Sequence, residues 1–261
     1  MFKLFRKKAD LPFHEENWQV YTSSINNQIA SIIVDLNVAD LAPISNLTEV
    51  FYLIIPFDFP SAEGLPTMES YKHINEVEDK IADLKFRYAP QLLHVATISM
   101  SSERLQMFYC HKIGDAKDFL IQIDKTFLEE LTFQVDHRED KKWDDYFTLA
   151  YPTAFQMEMI KNRSNLRALV DAGDRLSKER LIYHNLNFEK EEDLNEFLDY
   201  ARQEQFSLTS KVLSQEKWRI CISRLDFLSY ESIDSLCLPI WEKAQVYNGN
   251  YDGWETDLIL R

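Results

Sequence analysis

Few residues in this chain have the types and spacing that chemistry requires. His137, Asp140, Asp144 and Asp145 combine an imidazole with three carboxylates, side chains that suit a divalent cation and metal-assisted hydrolysis. Their spacing matches no ligand framework, and a solvated acidic connector explains the cluster equally well. Tyr109-Cys110-His111 sets a thiol beside an imidazole. Neighbours along a strand point to opposite faces, however, which disfavours a nucleophile–base pair. His184 falls on the inward face of an alternating segment, where a hydrogen-bonded core histidine is the default. Nucleotide-binding, hydrolase and zinc motifs are absent from the sequence, and the five glycines, at 64, 114, 173, 249 and 253, offer little from which to build a phosphate cradle. No catalytic residue, cofactor or metal ion is expected.

The sharpest local pattern is Tyr247-Asn-Gly-Asn-Tyr-Asp-Gly-Trp-Glu-Thr256. Asn-Gly and Asp-Gly favour positive φ, which predicts a tight, defined loop feeding a last strand. Held on such a loop, Tyr251, Asp252, Trp254 and Glu255 are the candidate partner-binding residues, an aromatic anchor flanked by acids. The structural alternative has Trp254 plugging the end of the sheet while Asp252 bonds to nearby amides.

Charge narrows the class of partner. With 29 Lys and Arg against 43 Asp and Glu, the 261 residues carry a net charge of −14. Such a surface repels phosphate backbones, so direct nucleic-acid binding is disfavoured. Three widely spaced cysteines read as free thiols in a reducing compartment, which points to the cytoplasm. The basic tip Met1–Asp10 is not followed by the apolar stretch of about 7–15 residues that a secretory signal needs, and is expected to be a solvated terminus. No window approaches the roughly 18 apolar residues of a membrane span.

The elements that must position these residues fall into two sets, with domains expected over 1–152 and 153–261. In the first, Trp18–Ser24 and Gln28–Val38 predict a hairpin around Asn26-Asn27, and Thr48–Phe59 a strand buried on both faces. Tyr71, Ile74, Val77, Ile81, Leu84 and Tyr88 recur at helical steps after a Thr67 or Ser70 cap. A strand pair over 92–99 and 104–111, a helix over 117–128 and a final strand over 131–135 complete an α+β domain with helices on one face of a largely antiparallel sheet.

The second domain opens with a helix capped by Thr153, broken near Asn162–Asn165 and ended at Gly173. Ile182, His184, Leu186 and Phe188 alternate on a strand. An acidic-led helix from Glu189, a hairpin around Ser214-Gln215-Glu216, a helix over 229–247 that Pro239 should kink or restart, and a strand over 254–260 follow. The order β-α-β-β-α-β predicts a ferredoxin-like sandwich.

Gly173-Asp174-Arg-Leu176, Arg180, Ile182-x-His184, Phe188 and above all Gly249-x-Tyr-Asp-Gly-Trp-Glu255 resemble the family of the regulator of ribonuclease E activity B, over about residues 155–261. One departure is Glu204-Gln205-Phe206, where that family commonly has a glycine before the aromatic residue. Trp18-x-x-Tyr21, the strand ending near Pro56, Leu65-Pro66-x-x-Glu69 with Glu78-Asp79, Phe108-Tyr109, and Asp140-x-x-Trp143-x-x-Tyr146 before Tyr151-Pro152 make residues 12–152 similar to domain of unknown function family 695. Here too a glycine is missing, after the strand that ends within Thr97–Arg104. The resemblance implies a non-catalytic, cytoplasmic bacterial protein that regulates by protein–protein contact, with a ribonuclease or RNA-degradation complex as the partner. Strong negative charge suits docking on a basic, RNA-binding protein. A metal-assisted hydrolase and a self-associating scaffold are the alternative readings.

Overall fold

The computed structural model describes residues 11–127 and 131–260. The basic tip of residues 1–10 and the expected last helical residue, Leu128, lie outside them. The chain divides into two units, residues 1–156 and 157–261. Each is α+β with an antiparallel sheet.

In the first unit the strands are β1 (Trp18–Ile25), β2 (Gln28–Asp35), β3 (Glu49–Pro56), β4 (Leu93–Met100), β5 (Glu103–Cys110) and β6 (Gln134–Glu139), in the sheet order β1-β2-β4-β5-β3-β6. Asn26 and Asn27 both take positive φ, 51° and 64°, the two-residue turn whose twist matches a hairpin. The expected extension of β2 to Val38 is lost. The Asp35 side chain accepts the Asn37 N–H and turns residues 36–40 into a short 3₁₀ helix. Ser101 and Ser102 make the β4–β5 turn with φ of 52° and 66°, so the hairpin that lacks a glycine closes on two left-handed serines.

Helix α1 (Met68–Tyr88) starts at Thr67 in a reciprocal capping box with Ser70. Its Val77 and Ile81, with Phe119, Ile123 and Phe127 of α2 (Lys117–Phe127), bury Phe51, Leu53, Phe108 and Cys110 on one sheet face. The segment expected to be a polar connector is built into this unit instead. β6 lies over 134–139, not 131–135, as an edge strand with every residue exposed. Charged edges of this kind discourage further strand pairing. After it, Trp143 stacks on Tyr109 at 3.8 Å and its indole N–H donates to the Leu47 carbonyl, covering the second sheet face. Tyr21 and Tyr146 hydroxyls donate to the carbonyls of Ala150 and Asp35.

Helix α3 (Ala154–Asp171) begins with Thr153 and Gln156 bonding each other's N–H groups. It runs without the break expected at 162–165, because Asn162 is buried and bonded from that helix rather than free to turn the chain. In the second unit β7 (Glu179–Phe188), α4 (Glu191–Gln203), β8 (Ser207–Ser214), β9 (Lys217–Phe227), α5 (Ile233–Val246) and β10 (Gly249–Thr256) follow in order, with the sheet β10-β7-β9-β8. α5 runs through Pro239 and starts well before it. Leu194, Phe197, Leu198 and Ala201 of α4 and Ile240 and Ala244 of α5 pack on Leu186, Phe188, Ile220 and Ile222 of one sheet face. Leu166 of α3 joins Ile182, Ile233, Cys237 and Trp254 on the same face.

Candidate partner-binding face of the C-terminal unit

The Tyr247–Thr256 segment is a strand from Gly249 onwards, not a loop before one, and it ends at Thr256 rather than Leu260. Gly249 faces the Phe188 ring so closely that an added Cβ would stand 2.3 Å from a ring carbon, a space only glycine fits. Tyr251 pairs with Leu186 and Gly253 with Asn185, leaving Asp252 as the extra residue of a β-bulge. Gly253 supplies its φ of +108°. Strand alternation would place residues three apart on opposite faces. The bulge shifts that phase, so Tyr251 and Trp254 both turn inward.

Both rings are 7% exposed. The Tyr251 hydroxyl and His184 Nδ1 share a hydrogen bond of 2.8 Å, and the Cys237 thiol meets the same hydroxyl. The Trp254 indole N–H donates to Asn162 Oδ1 at 2.9 Å, and Asn162 donates in turn to Asp234. Burial, with Arg224 as the second cause, brings His184 down to about 3 and keeps it neutral. Its Nε2 has no hydrogen-bond partner among the described residues. Burial likewise pushes the Cys237 thiol up to about 12, which leaves it unreactive. The aromatic pair therefore offers a partner no anchor, because the core already occupies it. Asp252 and Glu255 do face outward, beside Asn187 and Asn185.

The other motif pieces are structural in the same way. Asp174 and Arg180 form a bidentate pair at 2.6 and 3.0 Å, both buried. Arg180 holds the Asp174 carboxyl well below the usual carboxylate range, with help from the N–H groups of Ile259 and Leu176. Gln205 takes a φ of +64°, the conformation the missing glycine would have supplied.

What the unit leaves open is the outer face of its sheet. Leu181, its partner Leu225 and Phe227 are exposed there, Tyr183 continues the row on β7, and Val212 extends the face on β8. Toward β10 the face turns polar and acidic through Asn185, Asn187, Asp252 and Glu255. An apolar patch with a polar border has the composition of a protein-binding surface. Sequence alternation carried this signal: with Ile182, His184, Leu186 and Phe188 inward, residues 181, 183, 185 and 187 must face out.

The residues that suggested metal chemistry are spent or apart. Asp140 accepts the Tyr109 hydroxyl and the N–H groups of Asp144 and Asp145, while Asp145 accepts the Tyr52 hydroxyl and pairs with Arg138. His137 is exposed on edge strand β6. Among the described residues no group of three or more His, Cys, Asp or Glu is placed to hold a metal ion. Cys110 is buried in the first core and pushed up to about 12 by that burial, with His111 exposed. No helix is long and apolar enough to cross a membrane among the described residues.

Comparison with known proteins agrees with the two-unit organisation. The model of a family of unknown function, DUF695, matches residues 16–151, and that of the regulator of ribonuclease activity B matches residues 159–256. No curated protein matches the chain. Solved structures similar to it include a putative glycine cleavage system transcriptional repressor, 10% identical, covering 80% of this chain and 98% of that one at a TM-score of 0.21. An unknown protein from Galdieria sulphuraria is 5% identical with the same coverages and a TM-score of 0.22. Scores this low carry no argument about fold or function. Matched over just over half its length, the chain belongs to the DUF695 family, and it carries a C-terminal unit that matches the regulator of ribonuclease activity B.

Proposed function

We propose that this is a non-catalytic regulatory binding protein of the cytoplasm whose C-terminal unit modulates an RNA-processing ribonuclease by direct protein contact. The observation that carries the reading is an uncovered sheet face, with Leu181, Leu225 and Phe227 exposed, in the unit that matches the ribonuclease-regulator model. Exposed apolar side chains at the Leu225 end give contact area, and Asp252 and Glu255 at the other end give orientation toward a basic partner. The net charge of −14 favours encounter with an RNA-binding protein over RNA itself.

The test is cleavage of a defined RNA by a purified ribonuclease of the ribonuclease E type, with and without a stoichiometric amount of the full chain. Slower cleavage that fades as salt is raised supports the reading. Unchanged cleavage at low and moderate salt refutes it.

A further inference from the structure

An opening in the first unit lies beside α1, on the helix-covered side of the sheet. Its volume is about 810 Å³, within the range of sites that hold small organic molecules. One wall is aromatic. Trp18 sits 5.1 Å from the His94 ring, and His94 stacks on Phe108 at 4.8 Å and 30°. Two further lining residues, Phe13 and Phe86, are 96% and 77% exposed, which is unusual for phenylalanine.

The polar lining is unequally satisfied. Glu78 accepts from Arg104 Nε and Nη2 and from Gln106, so its charge is matched inside the wall. Glu16 accepts the Trp18 indole N–H and, like Asp79, is exposed to water. Lys85 differs. It is half-buried, and among the described residues no acceptor or ion pair holds its ammonium. Burial lowers its proton affinity, opposed in part by the Glu16 carboxylate, and its charge also acts on His94 across the opening, which burial brings down to about 4. Gln106 is 4% exposed and its Oε1 lacks a hydrogen-bond partner. A partly dehydrated cation with no direct ion pair, set beside a wall of flat rings, is half of a recognition site for a flat anion.

We infer that this opening binds a planar aromatic carboxylate, its ring against Trp18, His94 and Phe86 and its carboxylate on Lys85. A carboxylate there would give Lys85 the direct ion pair it lacks, while Glu16 and Asp79, exposed to water, repel it weakly. The inference is independent of the ribonuclease reading, which concerns the other unit.

The test is calorimetric titration of the full chain with 2-naphthoate and with its neutral isostere 2-naphthamide. Binding of one naphthoate per chain, about tenfold or more tighter than the amide, is expected from one charge-assisted contact. Lys85→Met should abolish that preference and Lys85→Arg should keep it. Equal affinity for the two compounds, no binding of naphthoate at millimolar concentration, or a preference that persists in a folded Lys85→Met variant would overturn the inference. The comparison of the two compounds on the unaltered protein decides the matter even if a variant fails to fold.

Discussion

Acidification should destabilise the C-terminal unit through His184. The residue is 1% exposed, bonded to the Tyr251 hydroxyl through Nδ1, with Nε2 unpaired. Its native proton affinity is depressed from 6.5 to about 3, burial being the main cause. In the unfolded chain it regains water and titrates near 6.5. Below that pH the unfolded state holds one more proton than the native one, so stability falls as pH falls. The slope is about 1.4 kcal/mol per pH unit, starting near pH 6.5 and ending only near pH 3. Between pH 7 and pH 5 the loss integrates to about 2 kcal/mol. His94 adds a loss of the same sign in the first unit, so the assay must be differential. Urea unfolding of the full chain, followed by circular dichroism, should be compared with that of His184→Asn, whose amide sits close to the place of Nδ1 and does not titrate. The variant is less stable at both pH values, but the unaltered protein should lose about 2 kcal/mol more between them. Parallel pH profiles would show that His184 is not buried in the neutral form and would refute the reasoning.

Two further substitutions test the motif as a folding device. Trp254→Phe removes the N–H that Asn162 Oδ1 accepts in the core, and should cost about 1–3 kcal/mol in urea unfolding; a neutral effect would contradict the buried bond. Gln205→Gly relieves a left-handed φ of +64° and should stabilise by about 0.5–1 kcal/mol, read as a higher urea midpoint with an unchanged slope. A lower midpoint would mean that the turn does not hold that conformation.

The sequence was legible where burial alternates. Val77 and Ile81 on α1, and Ile182 to Phe188 on β7, marked helix and strand because one face of each meets a core. β6 was hidden for the opposite reason. All its residues are exposed, so no hydrophobic period separates it from a connector. The break expected in α3 failed because Asn162 is turn-prone only when solvated, and here Trp254 and Asp234 hold it. Turns were harder to see in a chain with five glycines, since Ser101, Ser102, Gln205, Gln215 and Glu216 take the positive φ that glycine usually signals. The direction of Tyr251 and Trp254 was not legible at all. Three residues apart, they share a face only because Asp252 bulges, and pairing register is a tertiary property. The aromatic residues of the motif that carried the family resemblance thus read as architecture, and the candidate contact surface, which takes only Asp252 and Glu255 from that motif, lies on the reverse of the same sheet.

Whether this outer face binds a ribonuclease is measured most directly as the affinity of the purified full chain for a ribonuclease E-type enzyme by biolayer interferometry. Leu225→Glu and Phe227→Glu place a charge within the exposed apolar patch, whereas Val246→Glu places one on exposed Val246 of α5 as a control. Binding should be saturable and weakened by salt, should fall about tenfold or more in the two face variants and should be unchanged in the control. Equal affinity in all four proteins, or no binding of the unaltered chain at tens of micromolar, would contradict binding through this face.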